Sequence, residues 1–279
     1  LKPKRIVIVG LGLIGGSLAR ASRKAFPRAR IVGVTRSRAA LAKAKKKGWI
    51  HEGFTDLKRA FERTAPLVVL CTPVDTLKNF LIRLDSVAPK GTIVTDAGSV
   101  KGFLVRWADR KRWRRIEFVG AHPMAGSHER GIEHARSDLF QRALTFVTPG
   151  KSHSAYVFRT VLGFWKQLSR RVVVISAEKH DEVTSHISHL PHLAASALVA
   201  GVPAKDLSFA ASGFLDTTRV AASDPDLWVP IFLENRGPLF RSLRHFEARL
   251  DALSKILKRG DRGRLRTFLR ASQRRRVSL

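Results

Sequence analysis

The chain has 279 residues, 44% of them hydrophobic, which is enough apolar side chain for a packed core and too much for a disordered polymer. Its one cysteine, Cys71, excludes an intrachain disulfide and a cysteine-built zinc site, and it lies in an apolar run that reads as core. The 52 Lys and Arg against 22 Asp and Glu give a formal charge of +30, a field that favours anionic partners.

No basic helix interleaved with aromatics accompanies that charge, so anionic substrates and phosphorylated cofactors are preferred over nucleic acid, and Arg274-Arg275-Arg276 reads as a solvated tail. The longest apolar run near the start, 6–14, is broken by Gly10 and Gly12. It is too short for a signal peptide or a membrane span, which makes a cytoplasmic protein the simplest reading.

In chain order, β-branched runs at 5–9, 31–34, 67–71, 92–95 and 117–120 predict buried strands, and segments 14–25, 37–47, 75–87 and 100–112 predict helices between them. This alternation predicts an α/β fold, a doubly wound, mainly parallel sheet of Rossmann type. A last strand at 144–147, a turn at Thr148-Pro149-Gly150, a helix at 152–168 and an extended piece at 172–175 complete it. Helical patterns then take over at 178–200, 227–258 and 261–272, broken at Gly201-Val202-Pro203, Pro225 and Gly260. The division expected is a dinucleotide-binding domain over 1–175 and an all-helical domain over 176–279, with no residues left for a regulatory module. Any inhibition by an end product is then expected to compete with substrate.

Gly10-Leu11-Gly12-Leu13-Ile14-Gly15 follows the first strand and opens a helix, the context that gives a G-x-G-x-x-G pattern its meaning. Gly10 allows the tight turn, Gly12 lets the pyrophosphate approach the backbone, and Gly15 lets helix and strand pack closely. Domains that bind NAD⁺ usually carry Asp or Glu at the end of the second strand, for the ribose 2′-hydroxyl. Here that position reads Thr35-Arg36-Ser37-Arg38, hydroxyls and guanidinium groups suited to a 2′-phosphate, so NADP⁺ is the expected cofactor, with NAD⁺ second.

Two glycine-containing polar segments, Asp96-Ala97-Gly98-Ser99-Val100-Lys101-Gly102 and Gly120-Ala121-His122-Pro123-Met124-Ala125-Gly126-Ser127, follow predicted strands at the sheet edge where ligands bind. A third, His180-Asp181 through Ser188-His189-Leu190-Pro191-His192, begins the helical region. A fourth is Gly213-Phe214-Leu215-Asp216-Thr217-Thr218-Arg219, followed by Ser223-Asp224-Pro225-Asp226-Leu227-Trp228.

Together with the glycine loop, and in this order from about residue 4 to Asn235, these segments resemble the prephenate/arogenate dehydrogenase family. The resemblance implies a nicotinamide-binding domain, a helical domain that forms a homodimer, and oxidative decarboxylation of a cyclohexadienol dicarboxylate. It implies His122 as the base for the ring hydroxyl, with Ser99 beside it on the hydroxyl or the nicotinamide. A neutral imidazole suits that task. Arg219 is implied on a substrate carboxylate, with His192 and Trp228 lining the pocket. The cofactor set is Gly10, Gly12, Leu13, Ile14, Gly15, Thr35, Arg36, Ser37, Thr72 and Ser99.

The sequence departs from the family where relatives that take prephenate often carry Glu, six residues after the base; here His128 stands, followed by Glu129. That leaves prephenate and arogenate both open. His186, His189 and His192 recur every three residues, but Pro191 disturbs the helix and no carboxylate falls in phase, so no metal is expected. His180 and Asp181 read either as closing the cleft between domains or, for Asp181, as a charge at a helix N-terminus. Two other readings stand beside this one. One is a β-hydroxyacid dehydrogenase, whose catalytic lysine would have to be Lys179. The other is a non-catalytic binder of nucleic acid or another anionic surface, supported by the charge alone.

Overall fold

The computed structural model describes residues 3–61, 65–126, 129 and 131–279. β1 (Arg5–Val9) is buried along its whole length, as a run of branched aliphatic residues at the centre of a sheet must be. It pairs in parallel with β2 (Arg30–Val34) on one side and β4 (Leu67–Leu70) on the other. With β3 (Glu52–Phe54), β5 (Thr92–Asp96) and β6 (Ile116–Phe118) the order is β3-β2-β1-β4-β5-β6, parallel throughout. The reversal of strand order between β1 and β4 creates the crevice where ligands of such sheets bind.

Helices cover both faces. α1 (Leu13–Ala25), α2 (Arg38–Lys46) and α5 (Ala155–Leu168) bury Leu18, Leu41 and Phe164 on one face, and Cys71 packs against the same core. α3 (Leu77–Val87) and α4 (Gly102–Asp109) bury Leu81 and Leu104 on the other.

The structure differs from the sequence reading around residue 119. The single strand expected at 117–120 is two, β6 and then β7 (Gly120–Pro123), and β7 lies in a second sheet with β8 (Leu144–Thr148) and β9 (Arg171–Val174). β7 runs antiparallel to β8, and β8 parallel to β9. The switch is stabilised by hydrogen bonds: the Val119 N–H still donates to Val94 O (3.0 Å), but the Ala121 N–H turns to the Asp96 carboxylate (3.1 Å). The short β3 was not expected.

The C-terminal region is helical. α6 (Ala177–Thr184) passes through one wide π-turn (Ser185–His189) into α7 (Leu190–Ala200). Pro191 explains the wide turn, since its ring crowds the preceding turn and it has no N–H to give. α8 (Ser212–Thr218), a tight turn (Arg219–Ala222), α9 (Pro225–Glu234), α10 (Arg236–Lys258) and α11 (Arg262–Val277) follow. The Asp181 carboxylate joins this region to the sheet, accepting the N–H groups of Lys101 and Gly102 (2.8 Å each) at the start of α4. The contact agrees with both readings of Asp181: it sits at a helix N-terminus, of α4 and not its own, and it links the two regions. Among the described residues no helix is long and apolar enough to cross a membrane.

Candidate active site

The glycine loop has the shape a dinucleotide needs. Gly10 has φ +92°, and a Cβ there would lie 2.7 Å from Cys71 O and 3.0 Å from Thr72 Cγ2. A Cβ on Gly15 would lie 1.8 Å from Gly10 O, so α1 can approach the turn only with glycine at that position. Around Gly12 nothing lies within 4 Å, leaving the N-terminus of α1 open beside it. Leu13 and Ile14 begin that helix, and their N–H groups precede the first intrahelical acceptors. Thr72 borders the loop, its hydroxyl 2.8 Å from that of Thr76.

At the end of β2, Gly10 N–H donates to Val34 O (2.8 Å), which ties the loop to the Thr35-Arg36-Ser37 segment. Ser37 does more than was expected of a ligand: its oxygen accepts Ala40 N–H (3.1 Å) and caps α2. Its hydroxyl proton is still available to donate. Thr35 Oγ1 accepts Ser37 N–H (3.4 Å), and Arg36 is exposed.

At the opposite side of the crevice, the two expected catalytic segments meet the helical region. His122 on β7 is buried, and its Nδ1 lies 2.9 Å from His180 Nε2. His180 Nδ1 lies 2.8 Å from Asp181 Oδ1, and Phe146 sits edge-on to the His180 ring. The backbone carrying His122 is fixed from both sides. A fully buried Lys101 pairs with Asp96 and donates to Ala121 O (2.9 Å), while Asp96 accepts Ala121 N–H. Ser99, partly exposed, lies on the same loop as Lys101.

Burial holds the His122 imidazole well below its ordinary value, and His180, Lys101 and His189 add to the effect. His180 is pushed down to about 2, again first by burial. Burial raises the Asp181 carboxyl, but two backbone N–H groups oppose this by favouring the anion. With both of its oxygens already accepting N–H groups, Asp181 accepts the Nδ1 proton of His180. His180 Nε2 then carries the lone pair, so His122 donates from Nδ1 and keeps Nε2 bare. The relay fixes the tautomer a general base requires.

His192 is buried and stacks on Trp228 (centroids 3.7 Å apart, planes at 26°), with Phe232 beside both. Arg219 heads a turn that packs against α7, and its side chain is exposed. His128 lies outside the described residues, and Glu129 pairs with His134 (3.1 Å). His186 is exposed whereas His189 and His192 are buried, so the three do not converge. Lys179 is on the surface, paired with Glu182 (3.0 Å), away from the position a catalytic lysine would need. Sequence reasoning missed Asp96 and Lys101 as the frame of His122, and Asn235 as a partner of His189. All but Asn235 lay inside quoted segments, yet only the folded chain pairs them.

A parallel six-stranded sheet with an open glycine loop, facing a buried imidazole relay shared with a helical domain, defines a two-domain nicotinamide-dinucleotide dehydrogenase. The particular family follows from comparison. The chain belongs to the prephenate dehydrogenase family: the model of its nucleotide-binding domain matches residues 18–174, and that of its dimerization domain matches 176–271.

Among curated relatives, the prephenate dehydrogenase of Bacillus subtilis is 34% identical over 278 residues, 96% of this chain and 74% of the relative. The cyclohexadienyl dehydrogenase of Zymomonas mobilis is 32% identical, covering 99% of this chain and 96% of the relative. Among solved structures, Aquifex aeolicus prephenate dehydrogenase with hydroxyphenyl propionate and NAD⁺ superimposes with a TM-score of 0.91 at 32% identity, over 100% of this chain and 99% of that one. A hydroxyisobutyrate dehydrogenase, TM-score 0.61 at 15% identity over 87% of this chain and 88% of that one, shares the fold alone.

Proposed function

We propose that this chain catalyses the oxidative decarboxylation of prephenate or arogenate, with NADP⁺ preferred over NAD⁺. The observation that carries the reading is the His122–His180–Asp181 relay, which leaves a bare imidazole nitrogen on the first strand of the second sheet. Gly10, Gly12, Leu13, Ile14, Gly15 and Thr72 would hold a dinucleotide, with Ser99 at its nicotinamide end, and the dinucleotide would supply the hydride acceptor. His122 Nε2 takes the hydroxyl proton as the hydride leaves the same ring carbon. Loss of the ring carboxylate as CO₂ leaves its bonding pair in the ring, which becomes aromatic, and the proton on His122 returns to the phenolate oxygen.

Arg219 meets a substrate carboxylate from the open side, while His192 and Trp228 wall the pocket. By their sequence position six and seven residues after His122, His128 and Glu129 are the residues that choose the substrate's side chain. The Thr35-Arg36-Ser37 donors support NADP⁺, although the Aquifex relative was solved with NAD⁺. The division between domains falls at 175/176, between β9 and α6. The helical domain forms the homodimer, for which the exposed Phe209, Leu215, Leu233 and Phe240 offer an apolar surface.

One absorbance assay of the reduced cofactor, with prephenate and arogenate against both dinucleotides, tests the reading. Wild type is expected to turn over one of the two acids, and His122→Asn to lower kcat by about two to four orders of magnitude with the cofactor KM unchanged. No reduction in any of the four combinations overturns it.

A further inference from the structure

The buried histidine of the π-turn has no part in that mechanism. His189 is fully buried, and its Nδ1 lies 2.9 Å from Asn235 Nδ2. The orientation of the Asn235 amide is fixed by chemistry, because the same Nδ2 lies 2.9 Å from Asp181 O, a group that can only accept. The nitrogen of the amide therefore faces both partners, and His189 Nδ1 must accept its second proton. A neutral His189 then carries its own proton on Nε2. That atom is buried, and among the described residues it meets no hydrogen-bond partner.

The two imidazoles are thus set in opposite tautomers, and both settings trace to one residue. The carboxylate of Asp181 acts through His180 to leave His122 with an acceptor. The main-chain carbonyl of Asp181 acts through Asn235 to leave His189 with a donor. Burial keeps His189 neutral, pushing it down to about 4, so it does not become a second cation in the cluster. His189 also adjoins the rings of Trp228 and Phe232, the same aromatic wall that stacks on His192. A fixed acceptor and a fixed donor match a hydroxyl group, which gives one hydrogen bond and takes another. A carboxylate takes both and would be served by two donors.

We infer that His189 donates its Nε2 proton to the substrate hydroxyl oxygen whose own proton goes to His122, and that Asn235 is the positioning residue that keeps His189 in this tautomer. The inference rests on the dehydrogenase reading of the site. As His122 withdraws the proton, negative charge grows on that oxygen, and a donor already aimed at it strengthens as the reaction proceeds. The effect belongs in kcat more than in KM.

Long-range proton–nitrogen NMR of histidine-labelled protein tests the tautomer without turnover, His189 being assigned by the signals missing in His189→Gln. The expected wild-type pattern is a protonated Nε2 and a bare Nδ1. Asn235→Asp, which replaces the donor by an acceptor, is expected to draw the proton to Nδ1 and to lower kcat by about ten- to a hundredfold with the dinucleotide KM unmoved. His189→Gln, whose amide can still donate, is expected to lose about tenfold less in kcat than His189→Phe. A wild-type proton on Nδ1, or equal kcat in the Gln and Phe variants, overturns the inference. Absence of wild-type turnover instead overturns the dehydrogenase reading, and the NMR result stands apart from it.

Discussion

At the scale of single residues, the proposed preference for NADP⁺ rests on Arg36. A 2′-phosphate brings nearly two negative charges and needs donors, whereas a ribose hydroxyl needs an acceptor. Thr35 and Ser37 both offer a hydroxyl proton, but each oxygen also accepts a backbone N–H, and Ser37 caps α2. Replacing Ser37 would therefore mix recognition with helix stability, of which a cap supplies about 1 kcal/mol. Arg36 is exposed and separates the two. A guanidinium–phosphate contact in an open cleft contributes about 1–3 kcal/mol, roughly ten- to a hundredfold. Arg36→Asp is expected to flatten or reverse the ratio of kcat/KM for NADP⁺ to that for NAD⁺ while leaving thermal unfolding in place. A wild type that uses NAD⁺ equally well removes the argument.

Among the elements, the β1–α1 turn separates two uses of glycine. A side chain at Gly15 would collide with the backbone carbonyl of Gly10 at 1.8 Å, and backbone cannot rotate aside as a side chain can. A side chain at Gly12 would meet nothing within 4 Å of the protein. Gly15→Ala is expected to lower the melting temperature by several degrees, as a core overpacked by about 1–3 kcal/mol would, and to weaken the dinucleotide. Gly12→Ala is expected to melt like wild type yet bind the dinucleotide about tenfold more weakly, since only the ligand comes near it. Calorimetric melting and cofactor titration read the two apart, and wild-type binding by Gly12→Ala contradicts a pyrophosphate passing there.

The same comparison explains which elements were legible in the sequence. β1, β2, β4 and β5 are continuous branched runs buried on both faces, a pattern that needs no tertiary partner to recognise. β3 is Glu52-Gly53-Phe54, too short and too mixed to show. β7 was not visible because Gly120 and Pro123 read as the end of a strand and a polar loop; pairing with β8 makes it a strand, and Asp96 at the end of β5 takes the N–H of Ala121. In the site, the glycine loop was visible because local spacing encodes it, and His122 was visible through the resemblance to the family. The relay was not, since His122 and His180 stand 58 positions apart and only folding joins them.

For the molecule as a whole, the buried histidines set a pH dependence. His122, His180 and His189 are held neutral by burial, His180 down to about 2 and His189 down to about 4. An unfolded chain protonates such imidazoles near their ordinary value, about 6.5, while the folded chain does not. Their contribution to stability is therefore whole above about pH 6.5 and is lost as the pH falls below it, down to about 4 for His189 and about 2 for His180. Asp181, raised by burial, works in the opposite sense over the lower part of that range, one group against three. The chain already carries +30, and acid adds to its self-repulsion. The urea midpoint is expected to fall steadily from about pH 7 to about pH 4.5. An unchanged midpoint over that window means the imidazoles are not buried neutral.

The ion pair beneath His122 carries a different implication. Lys101 and Asp96 hold the carbonyl and the N–H of Ala121, so they hold the peptide that leads into His122 and not its ring. The seat of the His122 imidazole is thus built independently of its occupant. Strip the imidazole away and a ring-sized niche remains, with Phe146 and His180 still in place and the lone pair of His180 still aimed into it. If His122 is the proton acceptor, as proposed, the acceptor is a removable part, and a free imidazole from solution is the natural spare.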